Sequence, residues 1–531
     1  MTDLDRRDFL ATGAAATAGA AVLGGPLAGF LATPAAARGR RDRPTRLVDV
    51  LDLRDGVRRL ALPEGFQYRS FQPSRLSAPL ILDDGSKLPG RHDGMAAFSS
   101  HRKGEDDDRH DHDDHDDHRG WRGPDKRGRD VVTLVRNHEE NGSGVGRSFG
   151  VAGTPVYDTG ALGGTSTVRV TNDGIVQQSF ASLGGTQMNC SGGKMPWGSW
   201  ITCEETVNGY DLGDDFTRTP PGGTDPGPLT YVQNARLQKN HGYIFEVPVD
   251  DDASAQPITQ AGRFAHESVA WDPHTDALYL SEDNFAFPSG FYKYVPPRNP
   301  KRSGRLQDGG KLYMLKVKGV SNADLARHQE RGATFEAEWV QIDQPNFDFG
   351  RPAAGAAPSK ANDQGIVFVG DQGRAKGAAQ FSRLEGTVYD SGWVYFTSTQ
   401  GGLSTTPTQV DQTNGFGKGF GQIWGYNTRR GTLHMLFESP GREVLDFPDN
   451  ITTSRRGTLV VCEDHDDRNF LRGLTRKGRL FDIAQNRIEN RLNDEFAGAT
   501  FSPDGRTLFV NIQATEGLTI AIWGPWHRID V

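Results

Sequence analysis

Cysteine is scarce in this chain. Three are present in 531 residues, at Cys190, Cys203 and Cys462. An odd and small number excludes a disulfide framework as the source of stability. Long runs of good helix formers are also missing, which argues against a helical fold. Beyond the first 40 or so residues, no apolar run approaches the roughly 18 residues of a membrane span. No basic stripe alternates with aromatic residues, and the formal net charge is −8; a nucleic-acid surface is therefore not expected. What the chain does have is 66 Gly and 29 Pro. Many short strands joined by tight turns fit that balance.

The N-terminal residues read as an export leader. Arg6-Arg7 precedes a weakly apolar Ala/Gly-rich run from about Ala11 to Leu31, and Ala35-Ala36-Ala37 offers a small-residue cleavage site. A twin arginine before such a run is the signature of twin-arginine export. Residues 1–37 are thus expected to be a signal peptide engaged by the twin-arginine translocase, and residues 38–60 a linker. The mature chain is expected in the periplasm or outside the cell, monomeric and without a membrane anchor.

A repeat runs through the remainder. A polar residue opens a short apolar strand, a turn follows, and a second apolar strand closes on polar residues. The copies open at His92-Asp93-Gly94, Asn189-Cys190, His266-Glu267, Leu384-Glu385, Pro448-Asp449-Asn450 and Phe496-Ala497. They close at Asn137-His138-Glu139, Glu204-Glu205, Glu282-Asp283, Ser398-Thr399, Glu463-Asp464 and Asn511. Cys190 to Glu204, Glu385 to Thr399, Asp449 to Glu463 and Ala497 to Asn511 each span 14 positions, and Glu267 to Glu282 spans 15. Two five-residue antiparallel strands and a turn fit that distance. The expected fold is all-β, a six-bladed propeller of residues 61–531 with loop insertions. The start of one antiparallel strand and the end of the next lie at the same edge, so the repeated polar positions are expected around one mouth of the channel.

Between the strands of the first copy lies a His/Asp-rich insertion at about residues 101–129, including Asp111-His112-Asp113-Asp114-His115. Its charge marks a solvated, disordered loop at the far end of the blade, with loose metal chelation as the alternative.

The expected mouth residues are Asn137, Glu139, Cys190, Glu204, Glu205, Glu267, Glu282, Arg383, Glu385, Asp449, Asn450, Glu463 and Asp464. So many carboxylates in one place repel each other unless cations intervene. Carboxylate and amide oxygens suit Ca²⁺. Cys190 occupies the slot held elsewhere by Glu267, Glu385 and Asp449, and a thiolate there suits iron or zinc. Cys203 and Cys462 sit inside apolar strand ends and read as packing residues. His138, His241 and His266 read as supporting or ordinary hydrogen-bonded residues. Arg383 shares a strand face with Glu385 and is placed either to hold an anionic oxygen or to balance charge.

These residues resemble the PhoX-type alkaline phosphatases from about residue 60 to the C-terminus. The resemblance rests on the twin-arginine leader, Asn137-His138-Glu139, Asn189-Cys190, Trp197-Gly198-Ser199-Trp200-Ile201-Thr202-Cys203-Glu204-Glu205, Gly262-Arg263-Phe264-Ala265-His266-Glu267, Arg383-Leu384-Glu385-Gly386 and Phe496 to Gly505. It implies a propeller holding Fe³⁺ and Ca²⁺ that hydrolyses small-molecule phosphate esters. Cys190 would be an iron ligand, Glu267 and Glu385 would join Glu204 or Glu205 around the metals, and Arg383 would steady the phosphate. Two other readings fit the same acids: a calcium-dependent lactonase or esterase, and a non-catalytic binding module stabilised by Ca²⁺.

Overall fold

The chain is described by a computed structural model covering residues 46–75, 77–100, 130–141, 148–214, 234–403, 410–411, 415–417 and 419–531. The leader and the His/Asp-rich tract lie outside these residues. The tract's flanks, Ser99 and Val131, sit at the strand ends opposite His92 and His138.

Nearly all regular structure is antiparallel strand. Six meanders follow one another, and their first strands are His92–Ser99, Asn189–Met195, His266–Asp272, Leu384–Asp390, Pro448–Thr453 and Phe496–Phe501. Each first strand packs on the next in chain order, and the last returns to His92–Ser99. Short strands with apolar residues on both faces make this arrangement possible, because each sheet is covered by a neighbour on either side. Between the third and fourth meanders, Phe291 stacks on Phe396 with ring centroids 4.2 Å apart, and Tyr279, Trp424 and Tyr426 fill the same layer.

The two chain ends meet. Gln67–Phe71 is the outermost strand of the sixth meander, paired along Leu518–Trp523. Arg58–Pro63 adds to Leu480–Asn486 of the fifth, and Leu47–Leu51 adds to Arg58–Pro63. Residues 47–60 are therefore folded, where the sequence suggests a linker. The reason is Leu60 and Leu62, both fully buried against Val460, Leu471 and Ile483; an apolar alternation this short is masked by the charged residues before it.

One irregularity recurs in all six meanders. Pairing between first and second strands slips by one residue just inside the first strand, after His92, Asn189, His266, Leu384, Pro448 and Ala497. Such a bulge re-aims the side chain that follows. In the first five meanders that side chain is Asp93, Cys190, Glu267, Glu385 or Asp449. Small residues accompany it where first strands approach closely. A Cβ on Gly94 would sit 2.5 Å from Ser191 Cα, and one on Gly386 2.5 Å from Ile451 N.

The bulges are tied across meanders. Asn137 Nδ2 donates to the carbonyls of Cys190 and Ser191 at 2.9 and 2.7 Å. Ser281 Oγ donates to Glu385 O, Thr397 Oγ1 to Asp449 O and Asn511 Nδ2 to Asp93 O. All four donors occupy the same place, one residue before the end of a second strand, and Cys203 and Cys462 fill that place in the remaining copies. Asn137, expected as a ligand, is one of these ties, and its Oδ1 accepts from Trp200 Nε1 at 2.8 Å.

Asn137→Asp tests the distinction. A carboxylate would serve a ligand role at least as well as an amide, but it cannot donate to two carbonyls. The variant is expected to lose about 1–3 kcal/mol of stability in urea unfolding; unchanged stability with increased cation content would restore the ligand assignment.

Candidate metal and active site

A second repeated contact completes the rim. The residue after each second strand donates its N–H to the carbonyl of the residue immediately before the first strand: Glu139 to Arg91, Glu205 to Met188, Asp283 to Ala265, Thr399 to Arg383, Asp464 to Phe447 and Gln513 to Glu495. Arg91, Met188, Arg383 and Phe447 hold φ between 42° and 47°. Side chains in this left-handed region are strained, and strain of this kind collects at functional sites.

Because neighbouring strand residues face opposite ways, the last residue of each second strand turns inward and the one after it turns to the rim. This separates pairs that the sequence presents together. Glu205, Glu139 and Asp464 belong to the rim. Glu204 and Glu463, expected as metal ligands, do not. Glu204 accepts from the backbone N–H groups of Gln187, Gly242 and Tyr243 and from His241 Nδ1 at 2.6 Å. Glu463 accepts from Asp446 N and Arg472 Nε, and Glu282 from Gly290 N and the Tyr292 hydroxyl. These buried acids anchor loops. Asn450 is a further support: its Nδ2 donates to Asp449 Oδ1 at 2.7 Å, and its Oδ1 accepts from Gly498 N. His241 lies between Glu204 and Asp158, His266 meets the Gly262 carbonyl, and His138 meets Gly90 O and Ser166 Oγ.

Among the described residues, three overlapping sets of donor atoms remain, each set within 4.8 Å: Asp93, Glu139 and Cys190; Cys190, Glu205 and Glu267; Glu267, Glu385 and Asp449. The structure brings together six of the expected residues and adds Asp93. The sequence held the signal for it, since Asp93-Gly94 stands in its copy where Glu385-Gly386 stands in another. Asp283 and Glu495 also escaped the sequence reading. Asp283 grips Arg383 Nη2 at 3.0 Å, and Glu385 accepts from the same nitrogen at 2.8 Å. Glu495 lies against Asp464 and within electrostatic reach of Asp449, Asp93 and Glu139.

The electrostatics are those of an anion-rich, dry site. Burial, with Glu385 and Asp449 adding to it, pushes the Glu267 carboxyl well above its usual range. Burial, then Asp449 and Glu139, does the same to Asp93. Glu385 is also raised by burial and Asp283, against the opposing pull of Arg383, and Asp449 is pushed up to about 7 by burial and Asp464. The Cys190 thiol is driven up by burial, with Glu205, Glu139 and Glu267 adding to it. Among these groups Asp283 alone is lowered: burial raises it, but the charge and hydrogen bonding of Arg383, with hydrogen bonds from Glu385 and Glu205, together outweigh that burial. Cys190 Sγ stands 2.6 Å from Glu205 Oε2, a separation two anions cannot hold without a shared proton or cation. Asp93 Oδ1 is buried with no hydrogen-bond partner. Oxygen donors with one soft sulfur, one of them orphaned, fit bound cations.

The profile of the family Alkaline phosphatase PhoX matches residues 50–516. Among solved structures, PhoX from Pseudomonas fluorescens in complex with vanadate, a transition-state analogue, is similar at a TM-score of 0.57 and 18% identity, over 91% of this chain and 97% of that one. A gluconolactonase from Xanthomonas campestris is similar at a TM-score of 0.34 and 11% identity, over 92% and 99%. No curated protein matches the chain. With the rim of buried acids in place and a family match running from the first strand nearly to the last, the chain belongs to the PhoX family of alkaline phosphatases and is a phosphoric ester hydrolase.

Proposed function

We propose that this is an exported, metal-dependent phosphatase, built as one six-bladed β-propeller over about residues 61–531 and acting at a multi-cation site in one mouth of the channel. The observation that carries the reading is the run of three overlapping donor sets at one end of the first strands, in a chain of this family. Cys190 with Glu205 and Glu267 makes the mixed sulfur and oxygen set suited to Fe³⁺, whereas Glu267, Glu385 and Asp449 offer oxygen alone and suit Ca²⁺. Asp93 and Glu139 extend the site, and Asp464 lies beside it. Such ions, when bound, supply Lewis-acid stabilisation of charge on phosphoryl oxygens.

The chain's own groups supply the rest. Arg383, pinned by Asp283 and Glu385 and lying 5.5 Å from the Phe285 ring, presents a fixed guanidinium to an anionic phosphate oxygen. Glu385 has two tasks, holding a cation and aiming Arg383. Burial excludes water from the charges and strengthens each interaction. Export follows from the Arg6-Arg7 leader, and no helix among the described residues is long and apolar enough to cross a membrane.

Two sets of variants test the assignment. Cys190→Ala is expected to abolish iron content and reduce turnover of p-nitrophenyl phosphate by at least roughly 10²-fold, as loss of a principal electrostatic element does; full activity without iron would dismiss the thiolate ligand. Glu205→Gln and Glu204→Gln, one residue apart, should part company. Glu205→Gln is expected to lose cations and activity while keeping its fold. Glu204→Gln leaves buried His241 short of an anion and is expected to cost about 3–5 kcal/mol of stability, with cation content kept in the folded fraction. Identical behaviour of the two variants would contradict the assignment of facing.

A further inference from the structure

Arg383 has a counterpart. Arg91 occupies the same place in the first meander that Arg383 holds in the fourth, two residues before the bulged acid. Both sit in the left-handed region, at φ 42° and 44°, and the carbonyl of each accepts the N–H of the rim residue closing its own meander, Glu139 or Thr399. With six first strands in closed sequence, the first and fourth stand across the ring from each other. The remaining residues at this position are Met188, Ala265, Phe447 and Glu495, so the two arginines are its only cations.

The two are held differently. Arg383 is clamped by two carboxylates and has 15% of its side chain exposed. Arg91 forms an ion pair with Glu139 at 3.1 Å and has 35% exposed. Glu495 connects the two sides: it lies within electrostatic reach of Arg91 and against Asp464, which itself faces Arg383. A partly exposed guanidinium on the far side of the same rim, facing Glu139, Glu140 and Glu495, is suited to an anion that arrives with the substrate, not to the reacting phosphate itself.

We propose that Arg91 forms a second anion subsite, which receives a further phosphoryl group carried by the leaving group of the substrate. This rests on the phosphatase reading and deepens it: the favoured substrates are polyanionic, such as a nucleoside triphosphate, whose terminal phosphoanhydride P–O bond is broken by water to give orthophosphate and the nucleoside diphosphate, over esters with an uncharged leaving group. Arg91 is thus a specificity-determining residue. In the metal-loaded full chain, Arg91→Gln is expected to lower the ratio of kcat/KM for ATP to that for p-nitrophenyl phosphate roughly tenfold, chiefly through KM for ATP, as loss of a charge-assisted contact does. Arg91→Lys should recover part of the ratio. A ratio unchanged in Arg91→Gln overturns the subsite. Calorimetry with inorganic tripolyphosphate and orthophosphate separates this from the parent reading. The wild-type chain should prefer tripolyphosphate, and Arg91→Gln should remove the preference; no preference in the wild type also overturns the subsite. Absence of hydrolysis of every ester would sink the phosphatase reading, while the binding comparison would still decide the role of Arg91.

Discussion

Mutual repulsion among buried acids is the constraint that the rest of the molecule answers. Asp93, Glu139, Glu205, Glu267, Glu385 and Asp449 form a connected set with Cys190, each within 4.8 Å of others in its group. Two unit charges 4 Å apart repel by about 4 kcal/mol at the effective dielectric typical of proteins. Several such pairs would exceed the 5–15 kcal/mol or so that a folded chain has to spare. The set therefore exists either largely protonated or neutralised by cations. Raised carboxyl groups, the close Cys190–Glu205 contact and the unpartnered Asp93 oxygen all express this one imbalance.

The fold holds the acids in place against that repulsion by repetition. A bulge at the start of each of the first five first strands turns one side chain out of the pleat, and in four of the six meanders a side chain of the preceding meander fastens the bulge carbonyl. The left-handed residues at Arg91, Met188, Arg383 and Phe447 sharpen the entry into each strand. Pairing of Gln67–Phe71 with Leu518–Trp523 then locks the last meander to the beginning of the chain, so no pair of acids can relax by opening the sheet sequence.

Much of this was legible in the sequence, and the failures are informative. The slot shared by Cys190, Glu267, Glu385 and Asp449 was readable because position within a repeat survives changes of residue type. Asp93 shares that slot, but the insertion at about residues 101–129 breaks the spacing that marks the other copies. Glu204 and Glu205, or Glu463 and Asp464, could not be told apart, since adjacent acids look alike until strand pairing fixes which one faces inward. Asn137 is ambiguous for a related reason: an amide can ligate or donate, and the donation to Cys190 O and Ser191 O depends on a neighbouring strand. The strands within 47–63 were missed because they complete the sheet of a meander more than 400 residues away, a pairing that no local pattern discloses.

Anomalous X-ray scattering from crystals of the purified full-length protein, collected across the iron edge and at a wavelength sensitive to calcium, tests the central claim most directly. The account predicts an iron peak beside Cys190 Sγ, among Glu205 and Glu267, and calcium peaks among Asp93, Glu139, Glu385 and Asp449. A rim filled only by water and shared protons, with no anomalous peak, would contradict it.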